Sequence, residues 1–293
     1  MKLLDLIVQV RIQWYTKFIY FLFNNILMRI QSHSLQGKRQ SNEDQHVHLL
    51  NINSKNNDLN NVNFVGVFDG HGGKLVSKYL KRNLPKYFIT KLNKDVYNNS
   101  RMASKYFQNV FEKLQNDLKD DHPRASHYCG STALCGIHFK NKKDKSMLWM
   151  INVGDSRAIL CKNDNSVIQL TEDHKPNDKN ERSRISKLGG KIYYDGYDWR
   201  IKDLSLSRAF GDIEAKPYVS HLPQIYRYKL NKNDKFVIFA CDGLWDVVSN
   251  KKAINFVLKL KQKKFKGNIA AKLAQYAILE GSYDNVTVVI LFF

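Results

Sequence analysis

Short runs of β-branched and aromatic residues recur from about residue 45 to the end of the chain, and they constrain the fold most. Each run is bounded by Gly, Asn or Asp, the residue types that favour turns. The pattern predicts eight strands, over residues 45–52, 63–68, 131–139, 147–153, 157–161, 167–170, 236–240 and 286–293.

Amphipathic helices are predicted between groups of these strands. In the clearest of them, over residues 100–121, apolar residues recur at helical spacing. Others are predicted to begin near Gly73 and to span residues 181–188, 250–261 and 268–279. Because the helices come in pairs between groups of strands, the order indicates antiparallel sheets with helices outside them. This is an α+β fold in one compact domain.

The charge of the chain constrains its partners. The net charge of +20 attracts nucleic acid, anionic membrane or phosphorylated protein, and it does not choose among them. The longest run of one sign, residues 251–266, has seven lysines and no acid. Its interspersed apolar residues indicate a helix with a solvated basic face, and the alternative is a docking or nucleic-acid surface.

The four cysteines, Cys129, Cys135, Cys161 and Cys241, are spread singly through apolar stretches. None forms a closely spaced pair of the kind that binds zinc, and no secretory context is evident. We interpret them as small buried hydrophobes in a reducing compartment, which favours a cytoplasmic or nuclear location.

Residues 1–30 are rich in Leu, Ile, Phe and Tyr, with four basic residues and one acid among them. The longest charge-free run, residues 18–28, has eleven residues. A membrane-spanning helix needs roughly 20 apolar residues, so the run is too short for one. We predict an extension, or an amphipathic helix packed on a domain of residues 31–293. A start at Met28 would lose little, and an in-plane membrane anchor is the alternative.

Acidic residues fall at the ends of several predicted strands. Asp69, Asp155 and Asp242 each follow a strand closely, and Asp284 comes just before the last one. In an antiparallel sheet the start of one strand lies beside the end of its neighbour, so these positions can meet at one end. Together with residues 43–44, ahead of the first strand, one rim is predicted to gather at least five carboxylates.

Such a cluster destabilises the fold unless cations neutralise it. Glycines stand beside these acids, as in Asp69-Gly70 and Asp242-Gly243, and glycine lets a backbone carbonyl approach a ligand. Ligand sets made only of oxygen select hard ions such as Mg²⁺ or Mn²⁺. The rim is therefore predicted to hold divalent cations of this kind.

The motifs resemble those of the metal-dependent serine/threonine protein phosphatases of the 2C type. The most specific is Val67-Phe68-Asp69-Gly70-His71-Gly72-Gly73. The others match in the family's order, at residues 37–44, 130–133, 152–158, 170–176, 206–212, 240–246 and 281–285. The resemblance covers about residues 31–293. It implies a four-layer α-β-β-α sandwich, in which two antiparallel sheets are flanked by helices.

The resemblance also implies two Mg²⁺ or Mn²⁺ ions at the rim. Asp69 would bridge both ions, and Glu43 and the Gly70 carbonyl would serve one of them. Asp242 and Asp284 would bind the other.

Further roles follow from the same motifs. Asp155 and Asp242 match the positions of a weaker third ion in some members, with Asp246 as a helper. Arg39 matches the residue that binds the substrate phosphate. Residues 173–199 correspond to the family's variable flap beside the site.

The expected reaction is hydrolysis of phosphoserine and phosphothreonine by a metal-activated water, without a phospho-enzyme. His71, beside Asp69, is the candidate acid for the leaving group. Phosphorylated proteins are the expected partners of a monomeric enzyme, and no nucleic acid is expected. No cysteine has Arg six positions later, and no P-loop occurs. The alternatives are a catalytically inactive phosphatase-like binding module and a nucleic-acid binder.

Overall fold

The computed structural model describes residues 28–52, 62–90, 96, 98–140 and 145–293, and its strands form two five-stranded antiparallel sheets. Elements are numbered in chain order. The first sheet contains, in spatial order, β1 (Arg29–Leu35), β15 (Val286–Phe292), β14 (Asp234–Ala240), β8 (Arg157–Lys162) and β9 (Val167–Gln169). The second contains β13 (Gln224–Lys229), β7 (Ser146–Val153), β6 (Ala133–Lys140), β3 (Val62–Phe68) and β2 (Gln45–Ile52).

Strand β3 shows why the central strands are apolar throughout. Successive side chains of a strand point to opposite faces. Phe64 and Phe68 pack in the core between the second sheet and its helices, whereas Val65 and Val67 pack between the two sheets. All seven residues of β3 are buried. A fully buried Val or Phe side chain stabilises the fold by about 1.5–3 kcal/mol.

Helices cover the outer face of each sheet. Helices α1 (Leu75–Thr90) and α2 (Ser100–Asp121) pack on the second sheet, and α6 (Asn250–Gln262) and α7 (Ile269–Leu279) pack on the first. The Asn99 side chain caps α2 by accepting hydrogen bonds from two backbone N–H groups of its first turn. The predicted four-layer α-β-β-α arrangement is therefore confirmed.

Shorter elements lie at the end of the sheets that carries the acidic turns. A three-stranded sheet joins β4 (Gly70–His71), β5 (Gly130–Ser131) and β12 (Phe210–Gly211). The other short elements are α3 (Ala125–Tyr128), α4 (Lys179–Lys187), the hairpin β10 (Tyr193–Tyr194) and β11 (Trp199–Arg200), a 3₁₀ turn at Ile213–Ala215, and α5 (Asp242–Trp245).

The segment after β9 has a small core of its own and a buried ionic link. Glu181, at the start of α4, accepts hydrogen bonds from Arg184 at 2.9 Å and Arg208 at 2.5 Å. Burial alone would raise the pKa of Glu181, but Arg208 and Arg184 together lower it to about 2. Because Arg208 lies in the 206–212 motif, this link holds the region of the predicted flap on the body of the protein.

The structure differs from the sequence predictions in several features, among them the short strands β4, β10, β11 and β12. Strands β1 and β13 were not predicted. Both lie at sheet edges and are only half-buried, so their sequences mix polar and apolar residues and carry a weak strand signal. The single strand predicted over residues 131–139 is two strands, which are separated at Thr132. Strand β1 begins at Arg29, two residues before the predicted domain boundary.

The predicted N-terminal extension falls mainly on residues 1–27, which lie outside the described residues. Within the described part of the chain, no helix has both the length and the apolar character needed to cross a bilayer.

Candidate active site

A cleft of about 520 Å³ opens where the acidic turns meet at one end of the two sheets. Of the residues predicted to form the site, all except Asp246 line this cleft. They are Arg39, Glu43, Asp69, Gly70, His71, Asp155, Asp242 and Asp284. The chain therefore brings together residues from five separate segments of the sequence, at positions 39–43, 69–71, 155, 242 and 284.

Strand register explains the convergence. In the first sheet Ala240 pairs with Val288, so Asp242 after β14 lies close to Asp284 before β15. In the second sheet Gln45 pairs with Phe68, so Asp69 after β3 lies close to residues 43–44 before β2. Each pair of acids thus results from the antiparallel neighbour relationship.

Thr132 holds the Asp69 turn in place. Its Oγ1 accepts a hydrogen bond from the Asp69 backbone N–H at 3.0 Å, and its own N–H donates to the Asp69 carbonyl at 2.8 Å. Thr132 Oγ1 also lies 2.9 Å from Ser156 Oγ. These bonds tie the Asp69 turn to the turn that carries Asp155, and they interrupt the strand at Thr132.

Glu43 is positioned by the segment before β15 and by the turn after β4. Its backbone N–H donates to Asn285 Oδ1 at 2.8 Å, and its Oε2 accepts from the Gly73 N–H at 3.1 Å. A Cβ atom at Gly70 would lie 2.6 Å from the Glu43 carbonyl oxygen, closer than real Cβ contacts allow. Position 70 therefore requires glycine so that the two loops can approach each other.

The carboxylates destabilise one another's charged forms. Burial raises the pKa of Asp69 well above its ordinary value, and the charges of Asp44, Asp242 and Asp155 raise it further. Burial likewise raises the pKa of Asp242, with Asp155 and Asp246 adding to the effect. A cation among these side chains would relieve this repulsion.

His71 faces the cleft from β4. Its Nε2 lies 2.8 Å from Oδ2 of the buried Asp212. Burial lowers the pKa of His71, but the hydrogen bond and charge of Asp212, together with Asp155 and Glu43, raise it overall. The imidazole is therefore favoured in the protonated form that can donate a proton.

Arg39 lies at the mouth of the cleft. Its Nη2 donates to Asp284 Oδ2 at 2.7 Å, and 61% of its side chain is exposed. The guanidinium is thus held through Nη2, and the rest of the group is accessible to a ligand. Beside it, Lys38 Nζ lies 3.9 Å from the centroid of the Tyr283 ring.

Comparisons with known proteins agree with this geometry. The family described as protein phosphatase 2C matches residues 28–286. The chain is 35% identical over 261 residues to the probable protein phosphatase 2C 7 of Oryza sativa subsp. japonica, covering 89% of this chain and 64% of that protein. It is 43% identical over 176 residues to a PP2C-like domain-containing protein of Acanthamoeba polyphaga mimivirus, covering 52% of this chain and 98% of that protein.

The chain belongs to the protein phosphatase 2C family. The structure of a C. elegans sex-determining protein is similar with a TM-score of 0.77 and 27% identity, covering 90% of this chain and 64% of that one. The fold is also that of serine-threonine phosphatase 2C from Toxoplasma gondii, at a TM-score of 0.75 and 23% identity, covering 91% of this chain and 95% of that one. The predicted family is therefore confirmed. The chain spans less than two thirds of the length of the rice relative.

Phosphatases of this family are metal-dependent, and the acidic cluster of this chain fits a hard cation. Asp44 is buried, and its Oδ2 accepts a hydrogen bond from Thr287 Oγ1 at 2.6 Å. Its other oxygen, Oδ1, has no hydrogen-bond partner among the described residues. Burial, the largest influence, raises the pKa of Asp44 to about 6. A buried carboxylate oxygen without a hydrogen-bond partner lowers the stability of the folded state, and a cation or its bound water would supply the missing partner.

The thiol of Cys241 also lies within 4.8 Å of ligand atoms of Asp44 and Asp69. Burial and the neighbouring carboxylates raise the pKa of this thiol well above its ordinary value. Because a metal binds the thiolate and not the thiol, the donors that remain are oxygens. An oxygen donor set suits Mg²⁺ or Mn²⁺ better than Zn²⁺.

Sequence reasoning missed the roles of three residues at this site. Asp44 was predicted only as one carboxylate of the rim, whereas Asp212, the partner of His71, and Lys175, the partner of Asp155, were not predicted as site residues. All three lie inside the family motifs, at residues 37–44, 170–176 and 206–212. Lys175 Nζ lies 2.5 Å from Asp155 Oδ2. Burial lowers the pKa of Lys175, but Asp155, Asp242 and Asp246 raise it overall. The predicted helper Asp246 belongs to this network, although its side chain is exposed.

Proposed function

We propose that the chain is a Mg²⁺- or Mn²⁺-dependent protein phosphatase that hydrolyses phosphoserine and phosphothreonine without a phospho-enzyme intermediate. The observation that carries this proposal is the convergence of Asp69, Asp242 and Asp284 with Glu43 on one cleft. Phosphate-monoester hydrolysis is among the slowest uncatalysed reactions, so the site must supply a large electrostatic stabilisation.

The resemblance implies which residues would hold the cations, and all of them except Asp246 line the cleft. Glu43, Asp69 and the Gly70 carbonyl would hold one ion, and Asp69, Asp242 and Asp284 the other. Asp155, with Asp242 and the nearby Asp246, would hold a weaker third ion. When bound, such a pair of ions lowers the pKa of a coordinated water and neutralises the phosphate charge.

Arg39 would bind the phosphate. Its guanidinium is planar, permanently charged and suited to two oxygens of a phosphate group. The hydrogen bond to Asp284 restricts the orientation of the guanidinium before the substrate arrives. Less conformational entropy is therefore lost on binding.

His71 would donate a proton to the oxygen of the leaving serine or threonine. An alkoxide is a poor leaving group at neutral pH, so a positioned acid accelerates its departure by about 10²–10⁴-fold. Asp212 acts through His71 as a positioning residue, because its carboxylate favours the protonated imidazole. Of the described residues that line the cleft, none is a cysteine, in keeping with direct attack by water.

The test is phosphate release from a phosphothreonine peptide with Mn²⁺ or Mg²⁺, with and without chelator. We expect activity that chelator abolishes and that added metal restores. Asp69→Asn and Asp242→Asn should each lower kcat/KM by about 10³-fold or more, while circular dichroism shows a folded protein. Chelator-resistant hydrolysis would contradict the metal mechanism. Tight binding of the phosphopeptide without turnover would support an inactive binding module instead.

A further inference from the structure

A row of basic side chains leads away from the active site along helix α1. The helix starts directly after the turn formed by residues 69–73, and Lys74, Lys78, Arg82 and Lys86 recur at four-residue spacing. Residues four apart lie on the same face of a helix. All four side chains are exposed. At 1.5 Å per residue, the row extends about 18 Å from the edge of the cleft.

This row lines a groove that adjoins the cleft, because Gly72 lines the cleft and Gly73 lines the groove. The groove has a volume of about 740 Å³ and is lined by these four basic residues, together with Asp121 and His122 from the C-terminal end of α2. Gly73 lines its near end, and the Gly73 N–H donates to Glu43 Oε2 at 3.1 Å. A peptide whose phosphate lies in the cleft can therefore continue into the groove.

Among the residues that the structure describes, the row lacks counterions at the end near the cleft, whereas Asp117 and Asp120 line an adjoining groove at its Lys86 end. Asp121 is the only acid among the described residues that line the row's own groove. Within the described part of the chain, the side chains of Lys74, Lys78 and Arg82 make no ion pair or hydrogen bond. The neighbouring Lys81, which is not in the row, instead donates to Gln45 Oε1 at 3.2 Å. Three cations are thus available to an incoming ligand.

We propose that this groove, lined by residues 73–86 and 121–122, binds acidic residues that flank the phosphorylated residue of the substrate. The proposal rests on the phosphatase function proposed above and adds a substrate preference to it. Successive basic residues are about 6 Å apart along the helix, and an extended peptide advances about 3.3 Å per residue. Acidic side chains at every second position of the peptide would therefore match the row.

The occupant is a peptide because the groove adjoins, at Gly72-Gly73, the site proposed to bind phosphorylated side chains. The driving force is Coulombic attraction between exposed groups, so each contact is modest and is weakened by salt. Several contacts together would lower KM more than they change kcat, because they form with substrate and transition state alike.

The experiment uses phosphothreonine peptides with Glu at alternate positions, placed before the phosphothreonine in one peptide and after it in another. Each is compared with a control peptide in which Gln replaces every Glu. The groove variant is Lys78→Glu/Arg82→Glu. The matched control is Lys259→Glu/Lys263→Glu, which makes the same change in net charge at α6, on the opposite outer layer. Peptide binding is measured in parallel by fluorescence anisotropy.

We expect wild type and the α6 variant to prefer a Glu peptide by about tenfold in kcat/KM, mainly through KM, with the preference falling as salt rises. The groove variant should lose that preference and keep its activity on the Gln peptides.

Three results would overturn the proposal. The first is a preference for the Glu peptide that survives in the groove variant. The second is an equal loss of that preference in the groove variant and the α6 variant. The third is a groove that binds a single-stranded oligonucleotide and does not bind the acidic peptide. Inactivity of every protein on every peptide would refute the phosphatase function alone, because the anisotropy comparison would still decide whether the groove selects acidic peptides.

Discussion

The ammonium group of Lys175 lies 2.5 Å from the carboxylate of Asp155, which is only 2% exposed. The chain thus places a cation of its own among the acids Asp155, Asp242 and Asp246, whose charges raise the pKa of Lys175. The same acids are those proposed to hold the second and third metal ions. An internal lysine and a divalent cation would therefore compete for overlapping negative charge.

Replacing Lys175 should separate these two effects. In Lys175→Met the acids lose their internal counterion, so we expect the metal-free protein to be less stable by about 1–3 kcal/mol. Mn²⁺ should bind about tenfold more tightly, because no ammonium group opposes it. Urea unfolding without metal measures the first effect, and isothermal titration calorimetry with Mn²⁺ measures the second. Lys175→Arg, which keeps the charge, should resemble the wild type. Unchanged or weaker Mn²⁺ binding in Lys175→Met would disprove the competition.

His71 can be tested by changing the leaving group. In His71→Ala we expect Mn²⁺ affinity to be retained and kcat on a phosphothreonine peptide to fall by about 10²-fold. Hydrolysis of p-nitrophenyl phosphate should change little, since its phenolate leaves without protonation. Steady-state kinetics of both substrates at neutral pH provides the measurement, with circular dichroism to confirm folding. Equal losses on the two substrates would point to a positioning role for His71, and undiminished peptide turnover would remove it from the mechanism.

The buried His174 predicts how stability depends on pH. Its Nδ1 accepts a hydrogen bond from the Gly154 N–H at 3.0 Å, and its Nε2 lies 2.7 Å from Gln224 Oε1. Burial, the largest influence, lowers the pKa of His174 to about 4, whereas an unfolded histidine titrates near 6.5. The folded state therefore favours the neutral ring. Its contribution to stability is complete above about pH 6.5 and is lost as the pH falls towards 4.

The free energy of unfolding should accordingly decrease, through this residue, by up to about 1.4 kcal/mol per pH unit over that interval. Urea unfolding of wild type and His174→Gln across the interval measures the contribution, which is the part of the slope that the variant lacks. Parallel stability curves for the two proteins would contradict the assignment.

Much of the fold was predictable because its signals are local. Strand β3 alternates its side chains between two cores, and a β-rich run bounded by turn residues records this in the sequence. The bounds of α2 agree with the prediction because its apolar residues recur at helical spacing. The acids at strand ends could also be anticipated as neighbours, since antiparallel pairing alone brings Asp242 towards Asp284.

The contacts that adjust the chemistry were decided only by the tertiary structure. His71 meets Asp212 across 141 positions of the chain, and Arg39 meets Asp284 across 245. Lys175 reaches Asp155 because its loop is bonded to the Asp155 turn, where the His174 N–H donates to the Gly154 carbonyl at 3.1 Å. Neither side-chain periodicity nor turn propensity encodes such meetings, because they depend on how two packed sheets and a returning loop place distant residues. The sequence by itself thus determined which residues carry the chemistry and that they share one end of the sheets, whereas packing decided their charge partners.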